Sequence, residues 1–297
     1  RTALTLYGLL SERFPRLCAG EYFDFARHTS IGCGGTAAAW ASPRSGEELS
    51  SLLAFLEGTC IPYCFLGAGA NVLPRDGFFD GVVIRFCGFC SLAAEGAWVC
   101  VGAGVTGGRL LRFAGEKCLA GAEFLTGIPM TVGGAVAMNA GVKEGHIGEL
   151  ISRVVCASAG RTFCLPQEEC AFEEKDSIFL RENIAVIGAE LRLKHSFPEE
   201  IARRRCYFRT KRRALPKGRS MGCVFVNPEG KSAGAVIEAC GLKGMRLGGA
   251  RVSEEHANFI LNDGGSASDI AALIALVKAR VEKETGIVLR EEVRRLP

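Results

Sequence analysis

The sequence lacks a long uninterrupted apolar run. No stretch of its 297 residues approaches eighteen consecutive apolar side chains, which is about the length that a membrane-spanning helix needs. Arginine and glutamate interrupt the first seventeen residues, RTALTLYGLLSERFPRL, so this stretch has no signal-peptide apolar core. We therefore predict a short amphipathic helix there and no membrane segment.

Histidine is scarce, with four residues, whereas cysteine is abundant, with fourteen. The close pairs Cys60/Cys64 and Cys87/Cys90 hint weakly at metal binding, but no histidine joins them in sequence. A chain of this length has enough core not to need disulfides. We predict no metal site, and buried reduced thiols in a cytoplasmic protein.

Two familiar nucleotide-binding signatures are also missing. An apolar run ends in Gly67-Ala68-Gly69-Ala70-Asn71, but no Gly-Lys-Ser/Thr follows, and the third glycine and helix of a dinucleotide fingerprint are absent. A loop of such small residues lets successive backbone N–H groups converge on one anion. Taken alone, this Gly-x-Gly loop is weak evidence for a phosphate site.

A second glycine-rich segment, residues 121–141, reads GAEFLTGIPMTVGGAVAMNAG and contains a single ionisable side chain, Glu123. Thr131 is placed to cap a helix over residues 132–138, and the bare amides of a helix start suit a phosphate or an electron-rich ring edge. The alternative is a glycine-rich core crossover that binds nothing. Together, the two segments favour a long cofactor held mostly by backbone.

The net charge of +4 is unevenly distributed. Residues 203–219 contain nine Lys or Arg and no acid, with Tyr207 and Phe208 as the only aromatics. Because interleaved aromatics are few and the rest of the chain is balanced, we favour a small anionic ligand over nucleic acid. A solvated helix face is the alternative.

The hydrophobic periodicity predicts an α+β fold. Helices are expected near 45–57, 106–117, 199–213, 232–240 and 268–285, with strands near 62–66, 81–86, 97–102, 151–157, 161–165, 183–193, 223–226, 258–261 and 287–294. A shift in composition at 195–200 predicts two domains, residues 1–195 and 196–297.

Four segments occur in an order that resembles the UDP-N-acetylenolpyruvoylglucosamine reductase family: the Gly67–Asn71 loop, GIPMTVGGAVAMNAG, GCVFVNP at 222–228 and VSEEHANFILN at 252–262. The resemblance covers roughly residues 25–294. It implies an FAD-binding half of the vanillyl-alcohol-oxidase type, in two subdomains split near residue 66, and a C-terminal substrate domain. No long loop fits between Phe179 and the basic helix, so the chain resembles the second subtype of the family.

The resemblance also implies a reaction. NADPH reduces non-covalent FAD, and the enolpyruvyl ether of a UDP-sugar is then reduced to UDP-N-acetylmuramate for peptidoglycan precursor synthesis. We expect a monomer that binds no nucleic acid and no membrane.

Site residues are carried over from the family motifs. The FAD diphosphate is expected over the 67–71 loop and its ring near residues 127–139. The predicted cofactor-binding residues are Gly67, Ala68, Gly69, Ala70, Asn71, Gly127, Ile128, Pro129, Thr131, Gly133, Gly134 and Asn139.

Three residues are the predicted catalytic groups. Cys223 stands where the family has a proton-donating serine, and its thiol is the stronger acid. Glu292 matches a family glutamate near the C-terminus, and we expect Glu291 and Glu292 to face opposite ways on a strand. Lys175 stands where the family has an arginine, whose planar fork it lacks; Arg181 is the alternative cation.

The substrate is expected to contact three further residues, Asn227, Arg212 and Arg213, with the two arginines near the UDP phosphates. His256 is expected to shape the site rather than act as an acid. A small core cysteine is the plain alternative for Cys223, and a surface ion pair is the plain alternative for Glu292.

Two other functions stay open from the sequence. A related FAD oxidoreductase with another substrate is disfavoured because no Arg-Ser-Gly-Gly-His signature of covalent flavin occurs. A flavin-binding homologue that has lost catalysis is suggested by Glu174, Lys175 and Val226, which depart from the family pattern, whereas Cys223 and Glu292 argue against it.

Overall fold

The structure is a computed structural model and describes residues 5–297. The chain forms two compact units. The first unit comprises the described part of Arg1–Glu21 together with Ala38–Ala68 and Asp80–Arg213. The second comprises Tyr22–Ala37, Gly69–Phe79 and Ala214–Pro297. The boundary predicted from composition, between residues 195 and 196, stays a prediction about independent domains.

The helices lie close to their predicted positions. They are α1 (Leu6–Arg13), α2 (Phe25–His28), α3 (Gly46–Gly58), α4 (Gly107–Glu116), α5 (Val132–Ala137), α6 (Ile178–Arg181), α7 (Pro198–Arg213), α8 (Ala233–Ala239) and α9 (Ala267–Thr285). None of the helices in residues 5–297 is long and apolar enough to span a bilayer.

Most of the strands lie wholly in the first unit or, for β1, β2 and β5, partly in it. They are β1 (Cys18–Asp24), β2 (Thr36–Ser42), β3 (Tyr63–Leu66), β5 (Phe78–Arg85), β6 (Leu92–Glu95), β7 (Trp98–Gly102), β8 (Leu119–Ala120), β9 (Gly141–Val142), β10 (Gly145–His146), β11 (Ile151–Ser158), β12 (Arg161–Pro166), β13 (Ala185–Arg192) and β14 (Lys194–His195). The larger sheets have the orders β1-β2-β5-β3 and β12-β11-β13-β7-β6. The second of these sheets is antiparallel throughout.

Helix α3 shows how the first unit buries its apolar residues. Ser45 caps its first turn by accepting from the Glu48 amide at 3.1 Å. The stripe Leu49, Leu52, Leu53 and Leu56 recurs at helical spacing, and each leucine is at most 1% exposed. Burial of such a side chain stabilises the fold by about 2 kcal/mol.

The second unit has β4 (Val72–Pro74), β15 (Ser220–Cys223), β16 (Arg246–Leu247), β17 (Ala250–Val252), β18 (Phe259–Asn262) and β19 (Arg294–Leu296). An antiparallel sheet of order β15-β18-β17-β16 packs with α8 and α9 around its own core. Strand β4 pairs in parallel with β19. The α+β prediction is therefore confirmed, and each unit mixes helices and strands.

Two predicted strands were misplaced. The strand expected at 223–226 is β15, which ends at Cys223, and 224–226 continue with only a single bridge from Phe225 to Glu291. The strand expected at 287–294 begins only at Arg294. In both places the backbone bonds irregularly to other segments, which periodicity cannot show.

Candidate active site

The 121–141 segment lies in the first unit and is mostly buried, with a few exposed backbone positions. Gly127, Pro129 and Gly134 are exposed, whereas residues 122–126 and 130 are buried. The exposed positions belong to the predicted cofactor-binding set, as does the half-buried Thr131. This edge of the segment is thus open to a ligand, while the other edge belongs to the core.

The start of α5 does not offer the bare amides that we expected. Thr131 occupies the N-cap position, but its side chain makes no capping hydrogen bond. The amide of Val132 donates to the Val105 carbonyl at 2.8 Å, and that of Gly133 donates to the Ala103 carbonyl at 2.9 Å. Core carbonyls already use the first two amides of α5, so these amides are not bare. The phosphate or ring edge expected at this helix start stays a prediction.

The Thr131 hydroxyl instead meets the glycine loop. A Cβ on Gly67 would lie 2.5 Å from Thr131 Oγ1, so only glycine allows this approach. Thr131 Oγ1 is buried and has no hydrogen-bond partner among residues 5–297, and such a buried hydroxyl is costly unless something bonds it. An unpartnered hydroxyl where the two predicted FAD segments meet fits an FAD-binding surface.

Asn71 ends the glycine loop and lies in the second unit. Its side-chain amide donates to the Glu292 carbonyl at 3.2 Å, and its own carbonyl accepts from the Arg294 amide at 3.0 Å. These bonds continue directly into the parallel β4–β19 pairing. Asn71 thereby fixes the backbone of the predicted catalytic glutamate.

Lys175 is held on a tight turn against the end of the 121–141 segment. The Glu173 and Asp176 backbones bridge, and Lys175 between them has a φ of 61°. Its ammonium lies 3.5 Å from the Gly141 carbonyl. Asn139 fastens the same turn by donating to the Glu173 carbonyl at 2.9 Å and accepting from the Gly148 amide at 3.0 Å.

Arg181, the alternative cation, serves as a clamp on this turn. Its guanidinium contacts Glu173 at 3.1 Å, Asp176 at 3.4 Å and the Ala171 carbonyl at 2.9 Å. A guanidinium engaged in three such contacts has few donors left for a substrate oxyanion. The structure therefore favours Lys175 over Arg181 as the cation that serves a ligand.

The basic helix α7 belongs to the first unit, and several of its charges are used internally. Arg203 pairs with Glu200, Lys211 contacts Glu144, and Arg204 lies 3.8 Å from Glu123, which is only 2% exposed. Arg212 packs its stem against Gly127, where a Cβ would lie 2.9 Å from Arg212 Cγ, and Arg213 is exposed at the end of the helix. Arg212, one of the two arginines predicted to bind phosphate, thus lies beside Gly127.

A β-bulge positions Cys223 in the second unit. Ser220 pairs with Leu261 and Cys223 with Phe259, so two residues of β15 oppose one of β18. Gly222, at the bulge, has a φ of 75°, which favours glycine. The bulge breaks the alternation of side chains, so Met221 and Val224 are buried while Cys223 is only half-buried. Cys223 is therefore turned away from the core.

The backbone of Glu292 is hydrogen-bonded to the residue that follows Cys223. Its amide donates to the Val224 carbonyl at 2.8 Å. The adjacent Glu291 is held by Lys278 at 3.3 Å and by Arg295 at 3.0 Å. The two glutamates are not on a regular strand as predicted, and Glu291 forms ion pairs with both of these cations.

Asn258 holds the backbone of Phe225, two residues after Cys223. It is 3% exposed, and its side chain accepts from the Phe225 amide at 2.9 Å and donates to the Phe225 carbonyl at 2.8 Å. Asn227, predicted to bind substrate, accepts from the Ala233 amide at 2.9 Å and so orders the turn into α8. Asn227 is itself an exposed residue.

His256, which we expect to shape the site, contacts two residues of the second unit. Its Nδ1 accepts from the Asn258 amide at 3.2 Å, and its ring meets Phe259 edge-on at 5.0 Å. Burial lowers the pKa of His256 below its ordinary value of 6.5. The neutral ring of His256, with Nδ1 as acceptor, therefore holds the backbone amide of Asn258.

The prediction of buried thiols holds for only some cysteines. All fourteen are free; the buried ones are Cys33, Cys64, Cys156, Cys170 and Cys240, and several others are exposed. Burial raises the pKa of Cys33 and Cys170 to about 11 and that of Cys64 and Cys156 to about 12. Those four thiols are inert packing groups at neutral pH. Cys223 is not among the buried set.

Asn71 and Arg181 were named from the sequence, but the contacts that several site residues make carried little sequence signal. Asn71 and Asn258 act through backbone contacts distant in sequence, and Arg181 through its clamp. Gly222 did carry a signal, because a glycine inside a strand pattern often marks a bulge.

Known proteins resemble the chain over nearly its whole length. A family model described as UDP-N-acetylenolpyruvoylglucosamine reductase, C-terminal domain, matches residues 214–296, and one described as FAD binding domain matches residues 37–158. The UDP-N-acetylenolpyruvoylglucosamine reductase of Geobacter sulfurreducens is 40% identical over 273 residues, which is 91% of this chain and 91% of that protein. That of Nitrosococcus oceani is 41% identical over 276 residues, covering 90% and 91%.

A solved structure agrees with these matches. The crystal structure of UDP-N-acetylenolpyruvylglucosamine reductase from Thermus caldophilus superimposes with a TM-score of 0.82 at 36% identity. It covers 95% of this chain and 100% of its own.

Proposed function

This chain belongs to the UDP-N-acetylenolpyruvoylglucosamine reductase family, and we propose that Cys223, Glu292 and Lys175 carry its catalytic chemistry. The enzyme is an FAD-dependent oxidoreductase that uses NADPH to reduce the enolpyruvyl ether of UDP-N-acetylglucosamine to UDP-N-acetylmuramate. The reaction is a step of peptidoglycan precursor synthesis.

Bound FAD supplies the hydride that C3 of the enolpyruvyl group receives. Reduction leaves negative charge on an enolate, and C2 then needs a proton. Cys223 holds that proton on its Sγ. A thiol with an ordinary pKa near 8.5 is mostly protonated at neutral pH, so it is a competent acid.

Glu292 and Lys175 are the charged residues that act on the substrate during this proton transfer. Glu292, whose amide is bonded to the Val224 carbonyl, is the glutamate assigned to this role, while Glu291 forms ion pairs with Lys278 and Arg295. Lys175 brings an ammonium beside the 121–141 segment, where it stabilises negative charge that develops on the substrate.

Ligand binding is divided among the remaining residues. The 67–71 loop and the exposed edge of 127–139 hold FAD without a covalent bond, with the Thr131 hydroxyl as a buried hydrogen-bond donor. Arg212, Arg213 and Asn227 bind the UDP-sugar. We also propose that the protein is a cytoplasmic monomer, which size-exclusion chromatography with light scattering and cell fractionation test.

The bulge at Gly222 is the observation that carries this proposal. It leaves Cys223 half-buried between the buried Met221 and Val224, and the Val224 carbonyl accepts from the Glu292 amide. A packing cysteine needs no such bulge, whereas a proton donor must leave the core to reach a ligand.

The test is spectroscopic. Purified protein should be yellow, release FAD on acid precipitation, bleach anaerobically with NADPH and recover its colour when UDP-N-acetylglucosamine enolpyruvate is added. A flavin that stays attached to the precipitate contradicts non-covalent binding. A reduced flavin that this substrate does not reoxidise contradicts the proposed reaction, and it points to another substrate or to lost catalysis.

A further inference from the structure

Arg219 is an exposed arginine that lies across a glycine turn in the second unit. A Cβ on Gly32 would lie 2.7 Å from Arg219 Cδ, 3.0 Å from Nε and 3.2 Å from one terminal nitrogen. Gly32 also has a φ of 66°, so both its conformation and the space above it favour glycine. The arginine stem and the start of its guanidinium are therefore seated on the backbone of residue 32.

The backbone on both sides of this contact is tied down. The Arg219 carbonyl accepts from the Asn262 amide at 2.9 Å. The side chain of Asn262 donates to the Ile31 carbonyl at 2.8 Å, and Asn262 is itself 7% exposed. Asn262 thus joins the backbone of Arg219, just before strand β15, to the turn at residues 29–32. These bonds restrict where the guanidinium of Arg219 can lie.

The same turn touches the glycine loop. The Ser30 amide donates to the Gly69 carbonyl at 2.9 Å. Gly69 is the middle residue of the loop expected to hold the FAD diphosphate. Arg219 is therefore linked through residues 30–32 to that loop.

The charge of Arg219 is not neutralised by the protein. No carboxylate among residues 5–297 forms an ion pair with it. The nearby Asp263 is already bound by Arg246 at 3.0 Å and by Arg251 at 2.7 Å. A guanidinium with its donors available, on a fixed support, is suited to phosphate oxygens.

We propose that Arg219 binds a diphosphate group and that this diphosphate belongs to FAD. The assignment rests on the proposed function for the identity of the cofactor. The reaction involves two other diphosphates, that of the UDP-sugar and that of NADPH. The Ser30–Gly69 hydrogen bond is what favours FAD, because it connects the Arg219 support to the cofactor loop.

The experiment measures ligand binding rather than turnover. FAD is removed, and the binding of FAD and of riboflavin to the apoprotein is followed by flavin fluorescence for the wild type, Arg219→Gln and Arg219→Lys. Lys217→Gln is the matched control, because Lys217 is an exposed cation two residues away. Far-UV circular dichroism and thermal unfolding of each variant check the fold.

Arg219→Gln should weaken FAD binding about tenfold, the low end for a charge-assisted hydrogen bond at an exposed site. Riboflavin, which has no phosphate, should bind all variants alike. Arg219→Lys should recover part of the loss, and Arg219→Gln should make FAD binding less dependent on salt. Lys217→Gln should change none of these quantities.

Other results overturn the assignment. If Arg219→Gln leaves FAD binding unchanged but weakens the binding of UDP to the holoenzyme, the diphosphate is that of the substrate and not of FAD. If neither ligand is affected, or if riboflavin is weakened equally, Arg219 does not bind the diphosphate of FAD and the proposal is wrong. Failure of the proposed function would appear separately, as reduced flavin that the enolpyruvyl substrate does not reoxidise.

Discussion

Replacing Cys223 by alanine separates a proton donor from a packing residue. The bulge at Gly222 leaves Cys223 only half-buried, so the loss of its sulfur removes little apolar contact. We expect the free energy of unfolding to fall by no more than about 1 kcal/mol. A truncation in the adjacent core, Met221→Ala, should cost about 2–5 kcal/mol instead, because Met221 is 2% exposed.

The expected effect on the reaction is much larger. Loss of a positioned acid lowers a rate by about 10² to 10⁴, which corresponds to about 3–5 kcal/mol of activation free energy. Only the protonation of C2 needs the thiol. Stopped-flow absorbance should therefore show that Cys223→Ala bleaches with NADPH at nearly the wild-type rate, and that its reduced flavin is reoxidised by substrate far more slowly.

Two variants complete the comparison. Cys223→Ser should retain much of the activity, because a hydroxyl can donate the same proton and serine is the residue expected from the family pattern. Cys240→Ala removes a buried thiol of the second unit and should leave both half-reactions unchanged. If Cys223→Ala slows both half-reactions equally, or if the serine variant is as slow as the alanine variant, Cys223 is a packing residue.

Three further predictions concern neighbouring residues. Lys175→Met should lose most reoxidation by substrate while FAD stays bound, and Lys175→Arg should be tolerated or faster, since a guanidinium offers two aligned donors; a silent Lys175→Met would mean that another cation acts. Glu292→Gln should slow reoxidation of the flavin in the same assay. Glu291→Gln should leave reoxidation intact and lower the free energy of unfolding by only about 1 kcal/mol or less, through the loss of its ion pairs. If Glu291→Gln slows reoxidation and Glu292→Gln does not, the roles of the two glutamates are exchanged. Burial lowers the pKa of His256, so the unfolded chain takes up this proton first as pH falls, and the free energy of unfolding falls from about pH 6.5 downward through the folded pKa. Urea unfolding at about pH 7.5 and about pH 5.5 should therefore show a smaller loss of unfolding free energy for His256→Gln than for the wild type. An equal loss would mean that His256 does not titrate this way.

Much of the local structure could be predicted from the sequence. The leucine stripe of α3, the Ser45 cap and the stop of α9 at Gly286 each depend on residues within one or two turns of each other. Such signals act over a few residues, so they do not depend on the rest of the fold.

Other features required contacts between distant residues. Cys223 was expected inside a regular strand, but its register against Phe259 and the bulge at Gly222 decide where its side chain points. The start of α5 was expected to offer bare amides, but the Ala103 and Val105 carbonyls use them. Neither partner is marked by a local pattern.

The division between sequence and tertiary structure follows the range of the interactions. The sequence alone determined the α+β class and the two glycine segments, because these depend on local pattern, and its resemblance to the family supplied the candidate residues Cys223, Lys175 and Glu292. Tertiary structure alone decided that Glu291 is ion-paired to Lys278, that Arg181 clamps a turn, and that Arg219 rests on Gly32. Those outcomes depend on hydrogen bonds and close approaches between residues far apart in the chain, which only the folded backbone brings together.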